Sequence, residues 1–65
     1  MDFYLMFYNK FIERADNNNK ISRQAMCSEL GRIFHVPKKM KGNIIKEMEK
    51  KKMLRKLNRD VYELI

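Results

Sequence analysis

Hydrophobic residues recur at helical spacing along three segments of the chain, whereas the final segment alternates with a period of two. Apolar positions that return every three or four residues indicate an amphipathic helix, and strict alternation indicates a β-strand. The pattern predicts helices over about 3–15, 23–34 and 37–52. Asp2 and Ser22 stand immediately before the first two helices, where a side-chain oxygen can cap free backbone N–H groups.

The first predicted helix carries more hydrophobic residues than one face can bury. Helical spacing places one set toward the core, namely Tyr4, Leu5, Tyr8, Phe11, Ile12 and Ala15. Phe3, Met6 and Phe7 then fall away from that face, and exposed aromatic groups on a small protein often mark a partner surface. We therefore predict a homodimer contact through these three residues. The alternative is that they pack beneath the hairpin or the chain terminus.

The other two helices each show a narrower apolar stripe. In the second helix the predicted core positions are Met26, Leu30, Ile33 and Phe34. In the third helix they are Met40, Ile44, Ile45 and Met48. Proline restricts the residue before it to extended conformations and suits the first turn of a helix, so Pro37 predicts a tight break followed by a restart.

The last segment predicts a β-hairpin with strands at about 53–57 and 61–65 and a loop at 58–60. A loop of this length pairs Arg55 with Glu63 and Leu54 with Leu64. Opposite charges then meet across the strands, and Tyr62 shares one face with the leucine pair. The alternative is that the third helix continues to about residue 58.

At 65 residues the chain is long enough for one small domain. Its single cysteine and single histidine, Cys27 and His35, exclude an intrachain disulfide and cannot complete a tetrahedral zinc site. They also stand too far apart to act as nucleophile and base, so we expect no enzyme activity, no cofactor and no metal. A free cysteine without a secretory signal is typical of a reducing compartment, so a cytoplasmic location is expected. No apolar run approaches the about 20 residues of a membrane span.

The positive charge is concentrated in one stretch of the chain. The formal net charge is +7, and residues 37–60 carry ten Lys and Arg against three acidic residues, a difference that equals the whole net charge. A one-sided positive surface attracts polyanions such as nucleic acid. The alternative is a solvated lysine-rich surface without a partner. A membrane-surface helix is disfavoured, because the aromatic residues and the lysines occupy different segments.

The order helix, break, helix, short turn, helix, hairpin resembles the winged helix-turn-helix family of small prokaryotic, archaeal and viral DNA-binding regulators. The segment ISRQAMCSEL resembles the helix before the turn, VPKKMKGNIIKEMEKKKML the recognition helix that runs into the first wing strand, and LNRDVYELI the wing tip and return strand. The resemblance covers residues 21–65, about two-thirds of the chain. Lys52 departs from the pattern, because many relatives have glycine where this helix meets the strand.

The resemblance implies a mainly α, three-helix winged fold in a single domain over residues 1–65, and a role in transcription regulation. In this family the third helix enters the major groove of double-stranded DNA. The candidate DNA-binding residues are Lys38, Lys39, Lys41, Asn43, Lys46, Lys50, Arg23 and Arg59. Asn43 is the candidate reader of adenine, and Arg59 marks the predicted wing tip. Gly42 either allows close approach to a DNA strand or packs against the second helix.

A protein-interaction adaptor that uses the aromatic first helix is the alternative function. The side of the third helix opposite Ile44 and Met48 is rich in lysine, which favours a polyanion over a protein partner. Structured RNA is a second polyanion compatible with such a surface. No aromatic residues interleave with the basic run as single-strand recognition requires, so duplex DNA is the preferred expectation.

Overall fold

Residues 2–65 are described by a computed structural model, and they form three helices and one three-stranded antiparallel sheet. In chain order the elements are α1 (Phe3–Arg14), β1 (Lys20–Ser22), α2 (Arg23–Phe34), α3 (Lys38–Lys50), β2 (Leu54–Lys56) and β3 (Val61–Leu64). The three predicted helices and the predicted hairpin are confirmed, with boundaries that differ by no more than two residues. Because a tight turn joins α2 to α3 and the hairpin follows α3, the architecture is that of a three-helix winged helix-turn-helix.

Local sequence signals start and end the helices. Asp2 accepts a hydrogen bond from the backbone N–H of Tyr4 at 2.9 Å, and Ser22 accepts one from Ala25 at 3.0 Å, so both predicted N-caps are confirmed. α2 ends at Phe34, and its C-cap residue His35 adopts a left-handed conformation with φ 56°. His35, Val36 and Pro37 connect the two helices, and Pro37 is the N-cap residue of α3, which begins at Lys38.

The C-terminal strand β3 lies at the centre of the sheet, between β1 and β2. The predicted hairpin register is confirmed, with Arg55 opposite Glu63 in the β2–β3 pair. On the other side of β3, Ile21 of β1 lies opposite Tyr62. The sequence does not predict β1, because it is three residues long and pairs with a segment at the far end of the chain. The local pattern of hydrophobic residues does not indicate a strand partner so far away in the sequence.

The core lies where the three helices meet the sheet. Its buried hydrophobic residues are Phe7, Phe11, Ile21, Met26, Leu30, Ile45, Met48, Leu54, Tyr62 and Leu64. Every helix and strand contributes at least one of them, so no element can detach without exposing core surface. Among the helices of residues 2–65, none combines the length and the apolar character needed to cross a bilayer.

α1 turns a different face to the core from the predicted one. Phe7 is only 7% exposed, and its ring packs edge-on against that of Phe34 with the centroids 4.8 Å apart. Leu5 and Ile12, which the pattern assigns to the core, are 51% and 40% exposed. The prediction that Phe7 lies off the core is therefore wrong. Phe3 is exposed, as predicted. An aromatic ring that reaches across to α2 buries more surface than leucine at a neighbouring position does.

The apolar stripe of α3 is confirmed except at its first member. Ile45 and Met48 are buried and Ile44 is half-buried, but Met40 is 47% exposed. Met40 lies in the first turn of α3, where the next residue, Lys41, is more buried than the methionine. The stripe that holds α3 to the core is therefore shorter than predicted.

A buried carboxylate joins α1 to α2. Glu29 is 2% exposed and neighbours Leu30 in the core. It accepts hydrogen bonds from Arg14 of α1 and, at 2.9 Å, from Arg32 of its own helix. The Arg14 hydrogen bond is the main cause that holds the pKa of Glu29 below its ordinary value; Arg32 adds to it and burial opposes it. Charge compensation by two arginines is what allows an acidic side chain to lie at this depth.

The helix end after α3 requires an unusual backbone conformation. Lys52 has φ 62°, in the left-handed region that glycine occupies most easily. The N–H of Met53 donates to the carbonyl of Met48 at 3.0 Å, which closes the helix end around this residue. The left-handed conformation of Lys52 explains why a glycine would be favoured at this position.

Glycine in place of Lys52 is expected to stabilise the protein. Lys52→Gly removes a Cβ from a left-handed position, whereas Lys52→Ala removes the same charge and keeps the Cβ. We expect the glycine variant to exceed the alanine variant by about 1 kcal/mol in free energy of unfolding. Urea denaturation followed by far-UV circular dichroism measures the difference. Equal stability of the two variants would contradict a left-handed residue at this position.

Protonation of Glu29 is expected to be a source of acid sensitivity. Because the pKa of Glu29 is lowered in the folded state, its contribution to stability is complete above about 4.5, its ordinary value, and is lost as the pH falls through the lower folded-state pKa. Glu29→Gln should therefore be less stable than the wild type at neutral pH, and the two proteins should converge toward acid. Thermal unfolding over this pH range gives the comparison.

The matched control for this experiment is Glu13→Gln, which removes an exposed carboxylate that pairs with Lys10 on the surface of α1. Its stability should run parallel to that of the wild type. The pKa of Asp16 is also lowered, by backbone hydrogen bonds from Lys20 and Asn18, but this residue is present in every protein compared. A Glu29→Gln curve that stays parallel to the wild-type curve down to low pH would show that Glu29 is not the group concerned.

Candidate nucleic-acid interface

α3 presents one polar side away from the core. Lys39, Asn43, Lys46 and Lys50 are all exposed and follow one another at spacings of four, three and four residues. Such spacing places side chains on one face of a helix. This set, called the α3 face below, brings together four of the eight predicted DNA-binding residues.

Lys38 lies at the start of α3, next to backbone N–H groups that no side chain caps. Pro37 occupies the N-cap position and makes no side-chain capping hydrogen bond. The N–H of Met40 donates to the Pro37 carbonyl at 2.9 Å, which leaves the N–H groups of Lys38 and Lys39 and the positive end of the helix dipole for an anion. Lys38 is exposed and adds a formal charge at the same end of the helix.

Lys41 does not lie on the α3 face. Its side chain is half-buried, and its Nζ is 2.8 Å from the position that a Cβ on Gly31 of α2 would take. The end of the Lys41 side chain thus lies against α2, where glycine leaves room for it. Helical spacing also puts Lys41 on the side of Ile45 and Met48, which are buried. Lys41 is therefore removed from the predicted group of outward lysines.

The β2–β3 hairpin forms a wing beside α3, with Arg59 in the turn at its tip. The side-chain oxygen of Asn58 accepts hydrogen bonds from the backbone N–H groups of Asp60, at 2.8 Å, and Val61, at 3.0 Å. These bonds give the tip one defined shape. Arg59 is exposed in the middle of this turn, as predicted.

Arg23, the first residue of α2, connects the wing to α3. Its backbone N–H donates to the carbonyl of Asp60 at 2.8 Å, and its guanidinium donates to the hydroxyl of Tyr62 at 3.3 Å. The same guanidinium lies 3.3 Å from the position that a Cβ on Gly42 would take. Of the two explanations for Gly42, the contact with the second helix is thus the one that is observed, and the group in contact is a cation.

An open cleft of about 200 Å³ separates α3 from the wing. It is lined by Arg23, Gly42, Ile45, Lys46, Glu49, Lys56 and Tyr62. Lys56 and Tyr62 are not among the predicted binding residues, although the predicted hairpin register already sets them opposite each other. What the sequence does not reveal is that this strand pair lies against the middle of α3.

Most of the predicted cations of the interface have no acidic partner among residues 2–65. Lys50 is the one member that forms an ion pair there, with Glu47 at 3.8 Å on the helix surface. The other ion pairs of the described residues lie within α1, between α1 and α2, within α2, and across the wing strands. The positive charge of the α3 face is therefore largely uncompensated.

Cys27 and His35 have no common site. Cys27 is half-buried within α2, and His35 is exposed at the left-handed end of that helix. The described residues contain no group of three or more His, Cys, Asp or Glu side chains that could hold a metal ion.

Alanine in place of Gly31 is expected to stabilise α2. The new Cβ would meet the flexible end of the Lys41 side chain, Cε at 3.3 Å and Nζ at 2.8 Å, which can rotate away at little cost. Glycine inside a helix is less favourable than alanine by about 1 kcal/mol, so the melting temperature should rise. In a Lys41→Ala background the gain should be at least as large. Loss of stability in both backgrounds would contradict the contact described.

Comparisons of the chain with protein-family models, with curated proteins and with solved structures found no match. The function of α3 and the wing therefore has to be inferred from their own geometry and charge.

Proposed function

We propose that this chain binds double-stranded DNA as a transcription regulator, with α3 in the major groove and the wing tip on the backbone. The observation that carries the proposal is the α3 face, on which three lysines and one asparagine point into solvent from a helix flanked by a wing. An α-helix fits the width of the major groove. Phosphates line both edges of that groove, so cations on the outward face of the helix lie within their reach.

The residues of the interface have different roles in this proposal. Asn43 lies in the middle of the α3 face and can bond bidentately to the edge of an adenine. Lys39, Lys46 and Lys50 contact phosphate or guanine. Lys38 adds charge at the start of the helix, where free N–H groups favour a phosphate. These contacts supply binding alone, and the proposal includes no catalytic step.

The uncompensated charge favours a polyanionic partner over an empty surface. Exposed cations that outnumber their acidic neighbours repel one another in the free protein, and a phosphate backbone relieves that repulsion while releasing its own counterions. Arg59 at the wing tip extends the positive surface toward an adjoining groove or phosphate.

Dimerisation through α1 remains part of the proposal in a reduced form. A monomer of this size makes a small contact with DNA, and two copies on neighbouring half-sites would extend it. Phe3 is 61% exposed and Met6 is half-buried, so both are accessible to a second copy. Phe7 is buried in the core and is no longer included in the proposed contact.

A second candidate function, protein binding through α1, is favoured by a different set of residues from the one predicted. Leu5, Tyr8 and Ile12 follow one another at helical spacing on the same flank of α1, and both Leu5 and Ile12 are exposed. The Tyr8 hydroxyl donates to the carbonyl of Ile65 at 2.9 Å, and the Ile65 side chain is also exposed. This flank is separate from the α3 face, so an adaptor would use it without any need for the lysines.

The proposal is tested by fluorescence anisotropy with a short random-sequence duplex at several salt concentrations. If the interface neutralises about 5 to 7 phosphates, the slope of log affinity against log salt is roughly −4.5 to −6. Lys46→Gln should weaken binding and reduce the size of the slope by about 1. Lys41→Gln removes the same charge from the packed side of the same helix, so its effect should be smaller.

Two results would overturn this proposal. The first is absence of duplex binding at low salt, which would favour the adaptor function. The second is an equal loss in Lys46→Gln and Lys41→Gln, which would show that total charge matters and the α3 face does not.

A further inference from the structure

We propose that the cleft between α3 and the wing binds one phosphate group of the nucleic-acid backbone. The inference rests on the proposed function and deepens it, because it assigns a built site to one contact of the interface. Four residues that line the cleft carry groups that would hold the phosphate. They are Arg23 with its guanidinium, Lys46 and Lys56 with their ammonium groups, and Tyr62 with its hydroxyl.

The Tyr62 hydroxyl is the feature that distinguishes the cleft from an ordinary basic surface. Tyr62 is only 3% exposed, and its ring belongs to the core. Its hydroxyl accepts a hydrogen bond from Arg23 at 3.3 Å. Within residues 2–65 that hydroxyl donates to no protein acceptor, so its hydrogen is available to a ligand in the cleft. A phosphate oxygen is an acceptor that would satisfy it.

Arg23 is held in position for such a contact from two sides. The Tyr62 hydroxyl lies at one nitrogen of the guanidinium, and the backbone of Gly42 lies beside another. The residue is half-buried, and its main chain is tied to the wing through Asp60. A guanidinium that is already placed loses less conformational entropy on binding an oxyanion than a flexible surface lysine does.

The charge balance of the cleft favours an anion. Its lining contains three cationic side chains against one carboxylate, that of Glu49, so the formal sum is +2. No ion pair joins Glu49 to a cation within the described part of the chain. Glu49 therefore opposes the bound anion and limits the affinity of the cleft.

A volume of about 200 Å³ admits a phosphate group with some water but not a base pair. The site therefore contributes to position and not to sequence recognition. A phosphate fixed between α2, α3 and the wing would set the depth at which Asn43 enters the groove. Loss of the site should consequently weaken binding to all duplex sequences alike.

The first experiment uses inorganic phosphate as the probe and requires no DNA. Two-dimensional NMR of the full 65-residue chain, labelled with nitrogen-15, is recorded during a phosphate titration, with sodium chloride at matched ionic strength as the reference. Saturable shifts are expected at the amides of Gly42 and Tyr62 and at the side-chain N–H of Arg23. Shifts spread evenly over all lysine-bearing segments would overturn the proposal that the cleft binds phosphate.

The second experiment measures affinity for the random-sequence duplex in tyrosine variants. Tyr62→Phe keeps the core ring and removes only the hydroxyl, and we expect binding about tenfold weaker, as for the loss of a hydrogen bond to a charged group. Tyr8→Phe is the matched control, because its hydroxyl bonds the backbone at Ile65. It should bind as the wild type does. If Tyr62→Phe perturbs folding, Lys56→Gln replaces it, since Lys56 is exposed and outside the core.

Variants that remove a carboxylate test the charge balance of the cleft in the opposite direction, because they should strengthen binding. Glu49→Gln should tighten duplex binding several-fold, because it removes the carboxylate from the cleft. Glu13→Gln removes the same charge from α1, outside the proposed interface, and its effect should be smaller. Equal effects of the two variants would contradict a local site.

The failure of the cleft and the failure of DNA binding give different results. If the wild type binds duplex and Tyr62→Phe and Lys56→Gln both bind equally well, the cleft is overturned and the proposed function stands. If no duplex binding is found but phosphate still shifts the cleft residues, the phosphate site stands and the proposed function falls.

Discussion

The pairing of β3 with both of its neighbours is the constraint on which the rest of the fold depends. β1 immediately precedes α2 and β2 follows α3, so one central strand joins the two ends of the helix pair. Two more backbone hydrogen bonds hold this end of the chain beyond the paired strand residues. The N–H of Leu64 donates to the Asn19 carbonyl at 2.7 Å, and that of Ile65 donates to the Met53 carbonyl at 3.0 Å. The angle between α2 and α3 is therefore held by the sheet as well as by helix packing. Because α2 and α3 separate β1 from β3 in the sequence, the β1–β3 pairing is a long-range contact, whereas a short turn joins β2 to β3.

The same strand positions the candidate interface. Tyr62 has its ring in the core and its hydroxyl bonded to Arg23, and both residues line the cleft, so Tyr62 joins the hydrophobic interior to the polar surface. Arg23 bonds the wing through Asp60 and contacts Gly42 of α3. The geometry of the wing relative to α3 thus depends on groups that lie within the proposed binding surface. Glu29 of α2 similarly joins this helix to α1 through its ion pair with Arg14.

Features that depend on neighbouring residues were predictable, and features that depend on distant partners were not. The caps at Asp2 and Ser22 and the hairpin register follow from short-range chemistry, and all are confirmed. The buried face of α1 is different, because hydrophobic residues nearly surround that helix and the position of Phe34 decides which ones are covered. Periodicity alone contains no information on that choice.

The candidate site likewise has features that the sequence predicts and features that depend on tertiary contacts. The linear spacing of the α3 face is a property of one helix and is readable from the sequence. The position of Lys41 depends on Gly31 in another helix, and the cleft requires three separate elements to meet. The ion pair between Glu29 and Arg32 can be predicted from their spacing of three residues on one helix. The pair with Arg14 of α1 cannot, so the burial of this carboxylate depends on tertiary packing.

Gly42 shows how a locally unfavourable residue can be consistent with the whole fold. Glycine in the interior of α3 costs the helix about 1 kcal/mol relative to alanine. A Cβ at this position would come within 3.3 Å of the Arg23 guanidinium, close enough to displace it by a few tenths of an ångström. That displacement would act on the contact with Tyr62 and hence on the proposed phosphate cleft, while the helix itself would gain stability. A residue that lowers the stability of its own helix is expected where a binding group, here the Arg23 guanidinium, has to be held in position. The conflict at Gly42 therefore coincides with the cleft, whose lining comes from α2, α3 and the wing.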